Sequence, residues 1–278
     1  MPILRELPAN DQDWPGDLMD PDDVPRPIAA FGIIGFTNGI ELAPHRHRKA
    51  QLLLAPRGVL TCEAESGLWL VPPNCALWIP AETLHSLKVS GTVDGYNAFI
   101  DPAVAAILPA HCCTVSATPL LTALLMRAAS LPQLYPEDGP DARLVTVLLD
   151  EIAAAPEERL HLPMPTDARL RRLVALMMAD PGQRGTMEQW AKRVGMSERT
   201  LARLLSRETG MSFGQWRQQL TILLALQRMA EGAPVQQVAL DLGYESASSF
   251  VTMFRKALGS PPAQYMARQR SAEPLRNP

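Results

Sequence analysis

The feature that most constrains this chain is an internal repeat: residues 186–216 resemble residues 235–265 along nearly their whole length. A repeated unit fixes architecture more firmly than a single motif, because both copies must satisfy the same fold. In each copy an Ala is followed four positions later by Gly, Ala191 with Gly195 and Ala239 with Gly243. The small Ala lets two helices approach closely, and the Gly permits the positive φ of a tight inter-helix turn. A Ser follows each turn, Ser197 and Ser246, placed to cap the free amides of a second helix. Counting on from these caps, Leu201 and Leu205 match Phe250 and Phe254, each pair spaced to anchor one helix face in a core. The copies end alike, Gly210 matching Gly259 at a helix C-terminus and Gln215-Trp216 matching Gln264-Tyr265. The second copy has one extra residue in its turn. The repeat predicts two helix-turn-helix units, a form in which the second helix enters the DNA major groove.

That second helix should carry base-reading groups outward. In the first unit its face offers Arg199 and Arg203, one helical turn apart and both able to form bidentate hydrogen bonds to guanine. Lys192, Arg193 and Arg207 flank them as candidate phosphate contacts. The matching positions of the second unit are Ala247, Ser248, Val251 and Thr252, which can touch a thymine methyl or accept one hydrogen bond. Base discrimination is expected to be weaker there, with Arg255 and Lys256 contributing phosphate contacts. Taken alone, a charged helix face is better read as solvated surface. The repeat reverses that reading, and so does the charge distribution. Residues 1–165 carry 10 Lys+Arg against 20 Asp+Glu, whereas residues 166–278 carry 16 against 9. An acidic module is followed by a basic one, which suits a polyanion partner.

With these residues in view, positions 168–270 resemble the DNA-binding domain of AraC-type transcription regulators. The most specific stretch runs from Asp241 to Tyr265 and includes Gly243-Tyr244, Ser249-Phe250, Phe254-Arg255-Lys256 and Gly259-Ser260-Pro261-Pro262. The resemblance implies a double-stranded DNA partner, two recognition helices in successive major grooves, and a joining helix at Phe213 to Ala230. It further implies control by a small-molecule or metal effector, and contact with RNA polymerase if the protein activates. The departure is the Ala, Ser, Val and Thr set of the second recognition helix.

The acidic half reads differently. Residues 8–27 are crowded with Pro, Asp and Asn, a composition that suggests a flexible leader over residues 1–27. From Ile28 onward come short apolar runs broken by Gly, Pro and Asn: Ala30 to Phe36, Gln51 to Ala55, Gly58 to Cys62, Trp69 to Val71, Ala76 to Ile79 and Tyr96 to Ile100. Closely spaced short strands indicate a barrel or sandwich. His45 and His47 are separated by one residue, so on a strand both point to the same side. The order Gly39, His45, His47, Gln51, Gly58, followed by Pro80, Glu82 and His85, resembles the two motifs of the cupin barrel. That resemblance implies His45, His47, Gln51 and His85 as ligands of a divalent transition metal, Zn, Ni or Fe. Gln51 stands where those motifs have a carboxylate, and Glu82 where they have Gly. The alternative is that these side chains line an organic-ligand pocket, or that the histidines bond to backbone. His111 and His161 have no sequence partners and read as structural, and Trp69 and Trp78 read first as core.

The predicted fold class is α+β multidomain. A cupin-like sensor barrel covers 28–115, connecting helices 116–165, and an all-α double helix-turn-helix domain 166–278. Within the connecting region, Pro119 suits a first helical turn and Leu120, Leu121, Leu124 and Leu125 recur at helical spacing. This leucine-rich helix suits either a homodimer contact or packing against its own barrel. Cys62, Cys75, Cys112 and Cys113 show no CxxC spacing, which excludes a zinc finger and a disulfide framework and suggests a reduced, cytoplasmic setting. No basic start with an apolar run opens the sequence, and no stretch reaches the roughly 18 to 20 apolar residues of a membrane span. The expected function is an effector-controlled, sequence-specific DNA-binding transcription regulator and not an enzyme. Its rivals are a metal-dependent cupin enzyme, a dioxygenase or isomerase with a basic helical appendage, and a helical protein-binding adaptor.

Overall fold

The structure is a computed structural model that describes residues 3–4, 19–36, 41–64, 67–71, 75–158 and 160–270. The chain divides into two compact units, one formed mainly by residues 1–65 and 69–159, the other by residues 160–268 with 66–68.

The first unit is β-rich. Its strands are β1 (Ile3–Leu4), β2 (Ile28–Phe36), β3 (Glu41–His45), β4 (Ala50–Ala64), β5 (Gly67–Val71), β6 (Cys75–Ile79), β7 (His85–Ile100), β8 (Cys113–Ser116) and β9 (Glu157–Glu158). They pair along the path β1-β2-β7-β4-β6-β8-β9, with β3 joined to β7 and β5 to β4. Two strands are longer than the sequence pattern suggests. Pro56 and Gly58 break the apolar run after Ala55, yet β4 continues through them because register shifts between Leu54 and Arg57 and between Arg57 and Val59 absorb the irregularity. Likewise β7 begins at His85, eleven residues before the apolar run that marks its end.

Two helices, α1 (Pro119–Ala128) and α2 (Pro140–Ala154), pack on this sheet. Thr118 caps α1 by accepting from the Leu121 amide, with Pro119 in the first turn. Leu121 and Leu125 of α1 and Val145, Leu148 and Ile152 of α2 join one core with Leu52, Leu54, Trp78, Ala98 and Ile100. Packing within the unit therefore accounts for Leu121 and Leu125, while Leu120 remains exposed.

Composition suggests a flexible leader through residue 27, but its last part is packed. Val24 is buried, and the Asp22 carboxylate accepts from the amides of Arg48 and Lys49, both at 2.8 Å. The physical reason is Lys49, whose buried ammonium donates to the carbonyls of Val24 (2.5 Å) and Arg26 (3.1 Å). A buried amine requires such acceptors. The rest of the expected leader, apart from the two residues of β1, lies outside the described residues.

The second unit is helical after a short strand, β10 (His161–Leu162). Its helices are α3 (Ala168–Ala179), α4 (Met187–Arg193), α5 (Glu198–Thr209), α6 (Phe213–Ala230), α7 (Val235–Asp241), α8 (Ala247–Leu258) and α9 (Pro262–Arg270). Side-chain caps start many of them: Asp167 before α3, Ser197 before α5 and Ser246 before α8, with capping boxes at Thr186/Gln189 and Ser212/Gln215. Trp190 and Trp216 are core residues, and the Trp216 indole donates to the Pro163 carbonyl at 2.8 Å. Among the described residues no helix is long and apolar enough to cross a membrane.

Candidate nucleic-acid interface and histidine cluster

The two repeats fold onto the same local pattern. In the first, α4 and α5 flank a turn in which the Met196 amide donates to the Ala191 carbonyl at 2.9 Å. In the second, α7 and α8 flank a turn in which the Tyr244 amide donates to the Ala239 carbonyl at 2.8 Å. Ala191 and Ala239 are both fully buried, as close helix approach requires. The second helix of each unit is capped by its Ser, at 3.2 Å to the Thr200 amide and 3.3 Å to the Ser249 amide. Leu201 and Leu205 anchor α5 in the core, and Phe250 and Phe254 anchor α8. With those anchors turned inward, the opposite face of each helix is presented outward.

On α5 that face carries Arg199 and Arg203, both exposed and neither engaged in a hydrogen bond or ion pair among the described residues. The flanking cations differ. Lys192 pairs with Glu188 at 2.8 Å, and Arg193 bonds the Gln183 amide oxygen and lies 4.9 Å over the Trp190 ring. Arg207 contacts Glu208 at 3.4 Å, while the Glu208 carboxylate also accepts from the amides of Thr166 and Asp167. Those amide bonds hold Glu208 below the ordinary carboxylate range. On α8 the exposed side chains are Ser248, Thr252, Arg255 and Lys256, whereas Ala247 and Val251 are half-buried. The Thr252 hydroxyl donates to the Ser248 carbonyl at 2.9 Å, so its lone pairs face outward as acceptors.

One contributor escaped the sequence reading. Arg184, before α4, donates to the Gly243 carbonyl and lies 5.3 Å over the Tyr244 ring. It ties the segment leading into the first unit to the turn of the second. Arg228 of α6 adds an ion pair to Asp241 at 3.2 Å. No spacing rule links such positions in sequence, because the contact exists only once the two units are packed.

In the β-rich unit, His45, His47 and His85 come together, with one ring nitrogen of each within 4.8 Å of the others. Pairing of β3 with β7 sets His45 opposite His85. Carbonyls only accept, so the Nδ1 atoms of His45 and His85 must donate to Ala43 (2.8 Å) and Thr83 (2.9 Å). This fixes the tautomer and leaves Nε2 with its lone pair free in both rings, the arrangement seen around metal-binding histidines. His85 is 2% exposed, and its Nε2 is buried without a partner. Burial, followed by the proximity of His45 and His47, pushes its pKa down to about 4, so the ring is neutral at physiological pH. Gln51 is buried as well; its amide nitrogen donates to Asn97 at 3.0 Å, while its Oε1, the atom a metal would use, is buried without a hydrogen-bond partner. Glu82 adopts φ 59°, a left-handed conformation that glycine adopts more readily.

Among residues not foreseen, His111, Cys113 and Glu157 also converge, with ligand atoms within 4.8 Å of one another. All four cysteines are free thiols. Burial pushes Cys113 up to about 12 and Cys112 to about 11, so neither is a ready thiolate nucleophile.

Two capped helix-turn-helix units on one linking helix define a DNA-binding regulator. The chain belongs to the AraC-type family of helix-turn-helix transcriptional regulators. It is 41% identical over 255 residues to the HTH-type transcriptional regulator NimR of Escherichia coli (strain K12), covering 92% of this chain and 93% of that protein. Residues 190–268 match the family described as a helix-turn-helix domain. The regulatory protein SoxS of Salmonella typhimurium is 32% identical over 79 residues, 28% of this chain and 74% of that protein. The solved structure of ToxT from Vibrio cholerae aligns over 87% of this chain and 98% of that one, with 10% identity and a TM-score of 0.37. The chain is thus a DNA-binding transcription regulator.

Proposed function

We propose that this regulator reads its operator chiefly through α5, with Arg199 and Arg203 contacting base edges and α8 adding a lower-resolution reading through Ser248, Thr252, Ala247 and Val251. The observation that carries this is the contrast on the first unit's surface: Arg199 and Arg203 are exposed and unengaged, while Lys192, Arg193 and Arg207 each hold an internal partner. The latter three, with Arg255 and Lys256, serve as phosphate contacts. The 18-residue α6 is about 27 Å long at 1.5 Å per residue, a span comparable with the roughly 34 Å between successive major grooves.

The β-rich unit acts as the sensor, a cupin-like module whose effector site is the His45, His47 and His85 cluster. The buried, partnerless Nε2 of His85 and the two backbone-anchored tautomers support a divalent transition metal there, Zn, Ni or Fe, held by the three imidazoles with Gln51 Oε1 as a further candidate ligand. A bound metal would supply positive charge and Lewis acidity toward an effector's donor atoms. The chain's own residues orient the rings and keep His85 unprotonated.

The experiment is selection of bound fragments from sheared genomic DNA by the purified full-length protein, at near-physiological salt, with and without added Zn2+. Enrichment of a shared motif about two helical turns long, altered in strength by the metal, is the expected result. A motif recovered identically in both conditions, and equally by a His85→Ala variant, removes the metal from the effector role.

A further inference from the structure

We propose that His111, Cys113 and Glu157 form a second divalent-metal site, suited to Zn2+ and separate from the imidazole cluster.

The site is built by strand pairing. β8 runs antiparallel to β9, with Thr114 opposite Glu158 and Val115 opposite Glu157. The Ser116 amide donates to the Pro156 carbonyl at 2.9 Å and closes the end of that ladder. This pairing carries Glu157 across to the start of β8, where His111 and Cys113 lie two residues apart. The His111 Nε2 stands 3.3 Å from one Glu157 carboxylate oxygen and 3.4 Å from the other. The Cys113 sulfur completes a group whose ligand atoms are all within 4.8 Å of one another. Zinc–ligand bonds of about 2.0 to 2.3 Å place tetrahedral donors roughly 3.3 to 3.8 Å apart, so only small side-chain adjustments are required.

The donor set favours a particular class of ion. One imidazole, one thiol and one carboxylate match borderline Zn2+, whereas Mg2+ and Ca2+ demand oxygen donors alone. The three groups also differ in exposure. His111 and Glu157 side chains are 64% and 52% exposed, while Cys113 is 5% exposed at the base of the cluster. An ion enters from solvent between the two exposed arms and meets the sulfur beneath them. As the metal–sulfur bond forms, the thiol proton passes to solvent, and a water fills the fourth position. Glu157 lies three residues before Leu160, where the chain passes into its second unit. Occupancy therefore clamps β9, the last strand before that passage, onto β8.

The test is titration of the full-length protein with Co2+, a spectroscopic stand-in for Zn2+, following the near-ultraviolet thiolate-to-cobalt charge-transfer band. The expected result is a saturable band, displaced by Zn2+, that disappears in Cys113→Ser and persists in Cys112→Ser. It also persists in His45→Ala, which disables only the imidazole cluster. Because Cys113 is buried, the exposed positions provide a second arm: Glu157→Gln and His111→Ala weaken Co2+ binding at least about tenfold without touching a core residue. Absence of the band in the native protein, its survival in Cys113→Ser, or unchanged affinity in both exposed variants would reduce the cluster to a surface ion pair beside a buried thiol.

Discussion

The two helix-turn-helix units share a backbone and differ in what surrounds it. Both turns use glycine at positive φ, 68° at Gly195 and 78° at Gly243. A side-chain carbon added at Gly195 would meet nothing within 4 Å, whereas one at Gly243 would collide with the carbonyl oxygen of Gly182. The second turn is further held by Arg184 on the Gly243 carbonyl and by Arg228 on Asp241. Its core is aromatic, with Tyr244, Phe250, Phe254 and Tyr265 in successive contact at 5.4, 5.8 and 5.7 Å. The first unit combines an open turn with long, charged side chains exposed on α5; the second combines a buttressed turn with short polar ones exposed on α8. Physically the pairing is coherent. An arginine reaches a base edge across several ångströms and tolerates small errors in helix placement, while Ser248 or Thr252 makes contact only if the helix is set deep and at a fixed angle.

The largest effect that separates the units should come from their turns. Gly243→Ala adds backbone strain and forces the Gly182 loop aside, a cost of roughly 2–5 kcal/mol. Gly195→Ala incurs the strain alone, about 1–2 kcal/mol. Site-resolved hydrogen exchange over α7 and α8, compared with α4 and α5 in the matching variant, measures both. Equal losses would mean that the Gly182 contact relaxes without cost, and the buttressed turn would cease to distinguish the second unit.

The next effect is on DNA. Arg203→Ala should weaken binding to the selected operator by about 1–3 kcal/mol and relax preference at one base pair. Thr252→Ala, which removes one acceptor and a methyl, should cost less than about 1 kcal/mol. Binding to operators altered one base pair at a time gives the readout. If Arg203→Ala lowers affinity equally on every sequence, Arg203 is a phosphate contact and the division of labour between α5 and α8 fails.

How much of this was legible in advance depends on the range of the interaction. The caps Ser197 and Ser246, the buried Ala191 and Ala239, and the joining helix at Phe213 to Ala230 rest on contacts within a few residues, and local pattern carries them. His45 and His47 were expected to share one side of a strand, but β3 ends at His45 and His47 lies beyond it, so their convergence with His85 does not come from strand alternation. The long strand β4 was cut short because Pro56 and Gly58 look like breakers, and only tertiary pairing shows that register shifts accommodate them. The His111, Cys113 and Glu157 group had no signature at all. Its members are brought together by a ladder spanning more than forty residues, and the contact of Arg184 with Gly243 likewise joins residues far apart in sequence.

The smallest effect is also the cleanest test of what kind of contact the second unit makes. Arg255 and Lys256 are exposed near the C-terminal end of α8, where recognition-helix side chains approach the backbone more readily than the bases. A phosphate contact releases condensed counterions, so each should contribute about 0.9 to the slope of log affinity against log salt and nothing to sequence preference. Arg255→Ala and Lys256→Ala are therefore expected to flatten that slope by about one each while leaving the ranking of operator variants unchanged. Thr252→Ala should do the reverse, keeping the slope and shifting the ranking at a single position. Titrations at three or more salt concentrations distinguish the two patterns. Should the charged variants also reorder the operators, α8 would be reading bases through its cations, and the second unit would resemble the first in mechanism as well as in backbone.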